Sequence, residues 1–151
     1  MAYLIILIAI FGAIVFGVSV SAAGTSGLLL LFDLPGLIFV LVPSLLFSIN
    51  VSSWKTFTLG WTLTFSNSVT ASKEEVREVR AMCTAFGNIT ILMGVMGMLI
   101  GLILMLADLS NPDAIAPNMA VATLPPLYGI LFKLFSYAAE RKLDNRLTTT
   151  G

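Results

Sequence analysis

The chain has 151 residues, 58% of them hydrophobic and 11% charged, with eight basic and eight acidic side chains. A soluble domain carries about a quarter charged residues, so this composition describes an integral membrane protein with little mass outside the bilayer. Zero net charge leaves no electrostatic footprint for nucleic acid, and one cysteine (Cys83) without any histidine excludes a disulfide, a His/Cys metal site and a His-activated nucleophile within one chain. No cofactor and no enzymatic activity are expected.

Residues 3–20 (YLIILIAIFGAIVFGVSV) read as a first membrane span, close to the ~20 apolar residues a helix needs to cross a bilayer. The rival is a secretory signal peptide, because SVSAAG resembles a cleavage site; no positive residue precedes the run, which argues for the span. Gly12, Gly17 and Ser21 give it a small-residue side. Asp33-Leu34-Pro35 is a helix-start signal, with Asp33 as N-cap and proline in the first turn. It opens a second span over 34–51, which Pro43 should bend. Trp54 and Lys55 mark the membrane interface that follows. WKTFTLGWTLTF shows no clean helical stripe, so 52–82 reads as interfacial.

Ser72 and Glu75 form a capping box, and no proline follows until Pro112. One helix is therefore expected from Ser72 to Asp108, about 55 Å at ~1.5 Å per residue. Its apolar part, 86–107, makes a third span, and its first turns project into water. Glu74, Glu75, Arg77, Glu78 and Arg80 read as a solvated face, with partner binding as the alternative. Gly87, Gly94 and Gly101 share one heptad row, and Gly97 and Gly101 are a small-xxx-small pair. In lipid such a row is a close-packing seam. It can serve one chain or join copies, and spacing does not separate the two. The fourth span, 118–138, includes Gly129 as a further small packing position and Lys133, which can snorkel toward the near interface.

The eight Lys and Arg lie at 55, 73, 77, 80, 133, 141, 142 and 146. The positive-inside rule then puts 52–85, the tail 139–151 and both termini in the cytoplasm. Loops 21–34 and 107–118, whose charges are Asp33, Asp108 and Asp113, face outward. The expectation is a single all-α membrane domain of four transmembrane helices, with the third and fourth long and extended into the cytoplasm.

The stretch GVMGMLIGLILMLADLSNPDAIAPNMAVATLPPLYGILFKLFSYAAERKL, 94–143, resembles the third and fourth membrane helices of the MotA/TolQ/ExbB family, and within it the MotA branch. The resemblance rests on Gly94, Gly97, Gly101, Met105 and Leu106, on Met119–Ala122 after a short polar loop, and on Leu127–Gly129. FDLPGLIFVLVPSLLFSI, 32–49, is similar to the Asp-Pro opening of that branch's second helix. The resemblance implies a homopentamer in a bacterial inner membrane around two single-span partners of the MotB/ExbD/TolR kind. In such an assembly the partner's membrane aspartate is expected to carry the ion and ion flow to drive rotation; the hydroxyl-poor positions described next favour a proton over sodium. A non-conducting oligomeric scaffold of the same fold is the alternative.

The chain departs from the family pattern twice. About thirty residues stand where the MotA branch has a large charged insertion. Met98, Pro125 and Pro126 stand where the family places hydroxyl residues facing the ion path. Prolines at 125 and 126 have no N–H for the carbonyls of Val121 and Ala122. Either those carbonyls replace the lost hydroxyls in the ion path, or the pair makes a simple kink.

Overall fold

In the computed structural model, residues 9, 12, 31–65, 71–107 and 112–149 are described. The expected first span (apart from 9 and 12), the turn 21–30, and Asp108 and Asn111 of the polar loop lie outside the described residues. Among the described residues every element is helical: α1 (Leu34–Val51), α2 (Trp54–Phe65), α3 (Lys73–Ala107), α4 (Pro112–Ala122) and α5 (Leu124–Thr149). Among the described residues three helical stretches are long and apolar enough to cross a membrane: Leu34–Val51, Lys73–Ala107, and Ile115–Thr148, which combines α4 and α5. The chain is thus an all-α membrane protein.

Helix α1 starts where its sequence says it should. The Asp33 carboxylate accepts from the Gly36 N–H at 3.0 Å, and Pro35 stands in the first turn. The helix continues through Pro43. Almost all of α1 is apolar, so hydrophobicity alone cannot choose its inner face. Residue size does: Gly36, Val40, Ser44 and Ser48, one per turn, are the buried positions. The serine hydroxyls are satisfied locally, Ser44 donating to the Val40 carbonyl (2.6 Å) and Ser48 to that of Ser44 (2.7 Å).

The 52–82 stretch, whose WKTFTLGWTLTF run shows no clean helical stripe, holds a full helix, α2. Its inner stripe is Thr56, Gly60, Leu63 and Thr64, helically spaced but chemically mixed. Leu63 joins Val76, Val79 and Leu143 in a closed core where α2, α3 and α5 meet. Threonines 58 and 62 return their hydroxyls to the carbonyls of Lys55 and Leu59, both at 2.9 Å.

The capping box opens α3 one residue after Ser72. Its hydroxyl accepts from the Glu75 N–H (3.2 Å), and the Glu75 carboxylate accepts from the Ser72 N–H (3.0 Å). The acidic and basic residues after it are partly engaged as well as solvated. Lys55 pairs with Glu75 at 3.6 Å, Thr56 donates to Glu78 at 3.2 Å, and Arg80 pairs with Asp144 of α5. These contacts tie α2, α3 and α5 together at the charge-rich end. The two ion pairs keep substantial exposure, so they set register more than they add stability.

At the opposite, charge-poor end, α4 and α5 are separate helices. The break falls at Thr123, immediately before Leu124-Pro125-Pro126. Two consecutive prolines cannot donate to the preceding turn, which ends the α4 hydrogen-bond ladder there.

Candidate functional site

Helices α3 and α5 form the largest interface in the fold, and the glycines of α3 sit in it. A methyl group on Gly94 would come within 2.7 Å of the Pro125 carbonyl oxygen, and one on Gly97 within 2.8 Å of the Pro125 Cβ. On Gly101 it would meet the Ala122 Cβ at 2.7 Å, and on Gly87 the Lys133 stem and the Ser136 hydroxyl at 2.7 Å. Gly129 answers from α5: a Cβ there would stand 2.5 Å from the Thr90 carbonyl oxygen. The five glycines therefore line one seam between α3 and the α4–α5 arm of the same chain.

Above this seam opens a cleft of about 520 Å³ between α1, α3 and α4. Val121, Ala122 and Pro125 line it with Gly97, Gly101 and Met105, and Asp33 and Asn118 add polar groups. Of the residues considered for the ion path, the cleft thus gathers Pro125, which the resemblance puts there, with Val121 and Ala122, whose carbonyls the two prolines cannot serve. Met98 and Pro126 are half-buried and lie outside the cleft lining. Among the described residues no side chain donates to the carbonyls of Val121 or Ala122. The nearby hydroxyl of Thr123 goes instead to the Ala120 carbonyl, at 2.7 Å.

Two features of the site were not legible as motifs. The first is a latch. The Tyr128 hydroxyl donates to the Leu31 carbonyl and accepts from the Asp33 N–H, both at 2.7 Å. It ties the start of α1 to α5 one turn beyond the prolines, and so fixes the wall of the cleft that carries Asp33. Around it Val40, Leu124 and Tyr128 form a second closed core.

The second feature is a polar cluster toward the charge-rich end of the α3–α5 seam. The Lys133 ammonium donates to the Asn88 side-chain oxygen at 2.9 Å and pairs with Glu140 at 3.6 Å. Ser136 donates to the Cys83 carbonyl and lies 3.3 Å from the Glu140 carboxylate. Burial, with the nearby Glu140 charge, pushes the Cys83 thiol up to about 11, so it stays protonated and is no ready nucleophile. Lys133 therefore does more than reach for the interface: its charge is held between two helices.

The profile of the MotA/TolQ/ExbB proton channel family matches residues 61–150, which include the whole α3–α4–α5 hairpin and its seam. The chain belongs to the MotA/TolQ/ExbB family. It is 44% identical over 63 residues to chemotaxis protein PomA of Vibrio alginolyticus, covering 41% of this chain and 25% of the relative. It is 44% identical over 69 residues to motility protein A of Cereibacter sphaeroides, covering 39% and 27%. Motility protein A of Aquifex aeolicus is 49% identical over 51 residues, covering 33% and 20%. The matched stretch thus spans about a quarter of the length of these family members.

Proposed function

We propose that this chain is a MotA-type subunit of an ion-driven rotary motor in a bacterial inner membrane. Five copies surround two single-span partners of the MotB/ExbD/TolR kind, with both termini of each copy in the cytoplasm. The partner's membrane aspartate carries the ion, and this chain supplies the surface along which it moves. The observation that carries the reading is the family match over the hairpin. Four spans, 3–20, 34–51, 86–107 and 118–138, accommodate it, with 52–85 and 139–151 at the cytoplasmic side.

The chemistry supports a division of labour. Large apolar side chains remain exposed along α3 (Leu92, Val95, Met96, Leu99, Ile103) and α5 (Ile130, Leu134, Tyr137). In a membrane, lipid, further copies and a partner helix can cover these faces. Backbone groups left without a donor are tolerated at membrane depth only beside protein or water. Val121 and Ala122 line the cleft, and their carbonyls take no side-chain donor among the described residues and no N–H from Pro125 or Pro126. In this reading they provide the polar surface near the partner's aspartate that Met98, Pro125 and Pro126 lack. A metal ion needs several oxygen ligands at once, so the absence of hydroxyls at those three positions favours protons. The same absence is what favours the second reading, a non-conducting scaffold of the same fold.

Flux in proteoliposomes containing the chain and a single-span partner separates the two. The motor reading expects proton uptake that is preserved or increased in Pro125→Thr/Pro126→Thr, because hydroxyls then replace carbonyls. Loss of flux in that variant with assembly intact would remove the carbonyl role. No flux in the assembled parent would leave the scaffold.

A further inference from the structure

We propose that Lys133 is a tethered cation: its ammonium holds an oxygen-lined position between α3 and α5 that a free metal ion would otherwise occupy. The geometry has three parts. The side-chain oxygen of Asn88 lies 2.9 Å from the ammonium and a Glu140 carboxylate oxygen 3.6 Å from it. The Ser136 hydroxyl borders the same carboxylate at 3.3 Å and is itself turned to the Cys83 carbonyl. Two side-chain oxygens from two helices thus converge on one positive charge, with a third beside them. A monovalent metal ion would complete such a set with water, and here the protein supplies the charge covalently.

The position is built for this. The Lys133 stem runs across Gly87, where a methyl group would come within 2.7 Å of its Cδ. Only a residue without a side chain lets the stem cross α3 and reach Asn88. The pair is well shielded, with Lys133 25% and Glu140 13% exposed at the side chain. A shielded carboxylate that loses its counter-charge is costly, so an empty Lys133 position would recruit a cation from solution. The hydrogen bonds of the neighbouring basic groups go elsewhere, Arg141 donating to the Tyr137 hydroxyl at 2.9 Å and Lys142 to the Thr64 carbonyl at 2.6 Å, although the Arg141 charge still lies within electrostatic reach of Glu140.

The place of the cluster gives it a consequence. Lys133 lies seven residues after Pro126, two turns along α5 and only about 20° around it. In the motor reading, where the resemblance sets Pro126 beside the ion path, a path along that face of α5 continues toward Lys133 and the charge-rich end. With that position filled by an ammonium, a metal ion finds no vacant oxygen ligands on the way out, whereas a proton needs none. This bearing on ion choice rests on the motor reading above; the occupancy of the position does not.

Thermal unfolding of the purified chain in detergent, at equal concentrations of sodium, potassium or N-methylglucamine chloride, tests the occupancy. The parent and Lys133→Arg should melt at the same temperature in all three salts. Lys133→Ala should melt several degrees higher in sodium or potassium than in N-methylglucamine, because the small ions enter the vacated position. Adding Glu140→Gln to Lys133→Ala should abolish that difference by removing the charge that recruits them. Identical melting of Lys133→Ala in all three salts would overturn the proposal. So would failure of Lys133→Ala to fold in any salt while the double variant folds in all. Absence of proton flux would count against the motor alone, and the melting result would still judge Lys133.

Discussion

Gly129→Ala is the sharpest probe of the α3–α5 seam. The added methyl would stand 2.5 Å from the Thr90 carbonyl oxygen and 3.2 Å from the Ile91 Cα. Non-bonded heavy atoms settle at roughly 3.5 Å or more, so the helices must part by about 1 Å at this level. Both obstacles are backbone, and no rotamer change relieves them. Overpacking of this kind costs ~1–3 kcal/mol, against which replacing a helical glycine returns ~0.5–1 kcal/mol. The expected net loss is about 1–2 kcal/mol, a roughly five- to thirtyfold shift toward the unfolded state. Gly60→Ala is the control, because its methyl would meet side chains and no backbone, the terminal Met82 Cε at 2.9 Å and the Val79 Cγ1 at 3.3 Å. The thioether arm can swing aside and Val79 need yield only a few tenths of an ångström, so this variant should lose much less stability than Gly129→Ala. Unfolding in mixed micelles, followed by circular dichroism, compares the two. If Gly129→Ala proves as stable as Gly60→Ala, the seam is not the close backbone contact described here.

Two other expectations concern how the helices are fastened. Tyr128→Phe removes one acceptor and one donor from the start of α1 and should cost about 1–3 kcal/mol; an unchanged melting temperature would show that the latch holds nothing. At the start of α3, the backbone and hydroxyl bonds from Ser72, with help from Lys55, hold the Glu75 carboxyl below its ordinary value of 4.5. A depressed folded-state value means that the stabilisation is complete above about 4.5 and is lost as pH falls through the folded value. Glu75→Gln should therefore flatten the acid limb of the melting-temperature profile, and a superimposable profile would count against a charge-assisted cap.

How much of this was legible depended on whether a feature is local. Asp33 with Pro35, and Ser72 with Glu75, announce helix starts within four residues, and the structure places α1 and α3 accordingly. Helix α2 was hidden because its buried stripe is Thr56, Gly60, Leu63 and Thr64. A pattern search looks for large apolar residues, whereas this stripe holds one of them beside a glycine and two threonines, of which Thr56 donates across to Glu78. The glycines were visible as a row, but their partner was not, since spacing fixes a face and not what lies against it. The same limit applies to the candidate site. Val121, Ala122 and Pro125 line one cleft while Met98 and Pro126 do not, and that division depends on where the helix breaks at Thr123. The Tyr128 latch and the Lys133 cluster join residues 95 and 45 positions apart, a separation that no local pattern encodes.

The measurement that bears most directly on the central claim is the composition of the particle taken from native membranes, by mass spectrometry in detergent. A MotA-type motor subunit predicts five copies of this chain with two of a smaller, single-span protein carrying a membrane aspartate. A symmetric particle made of this chain alone would contradict it.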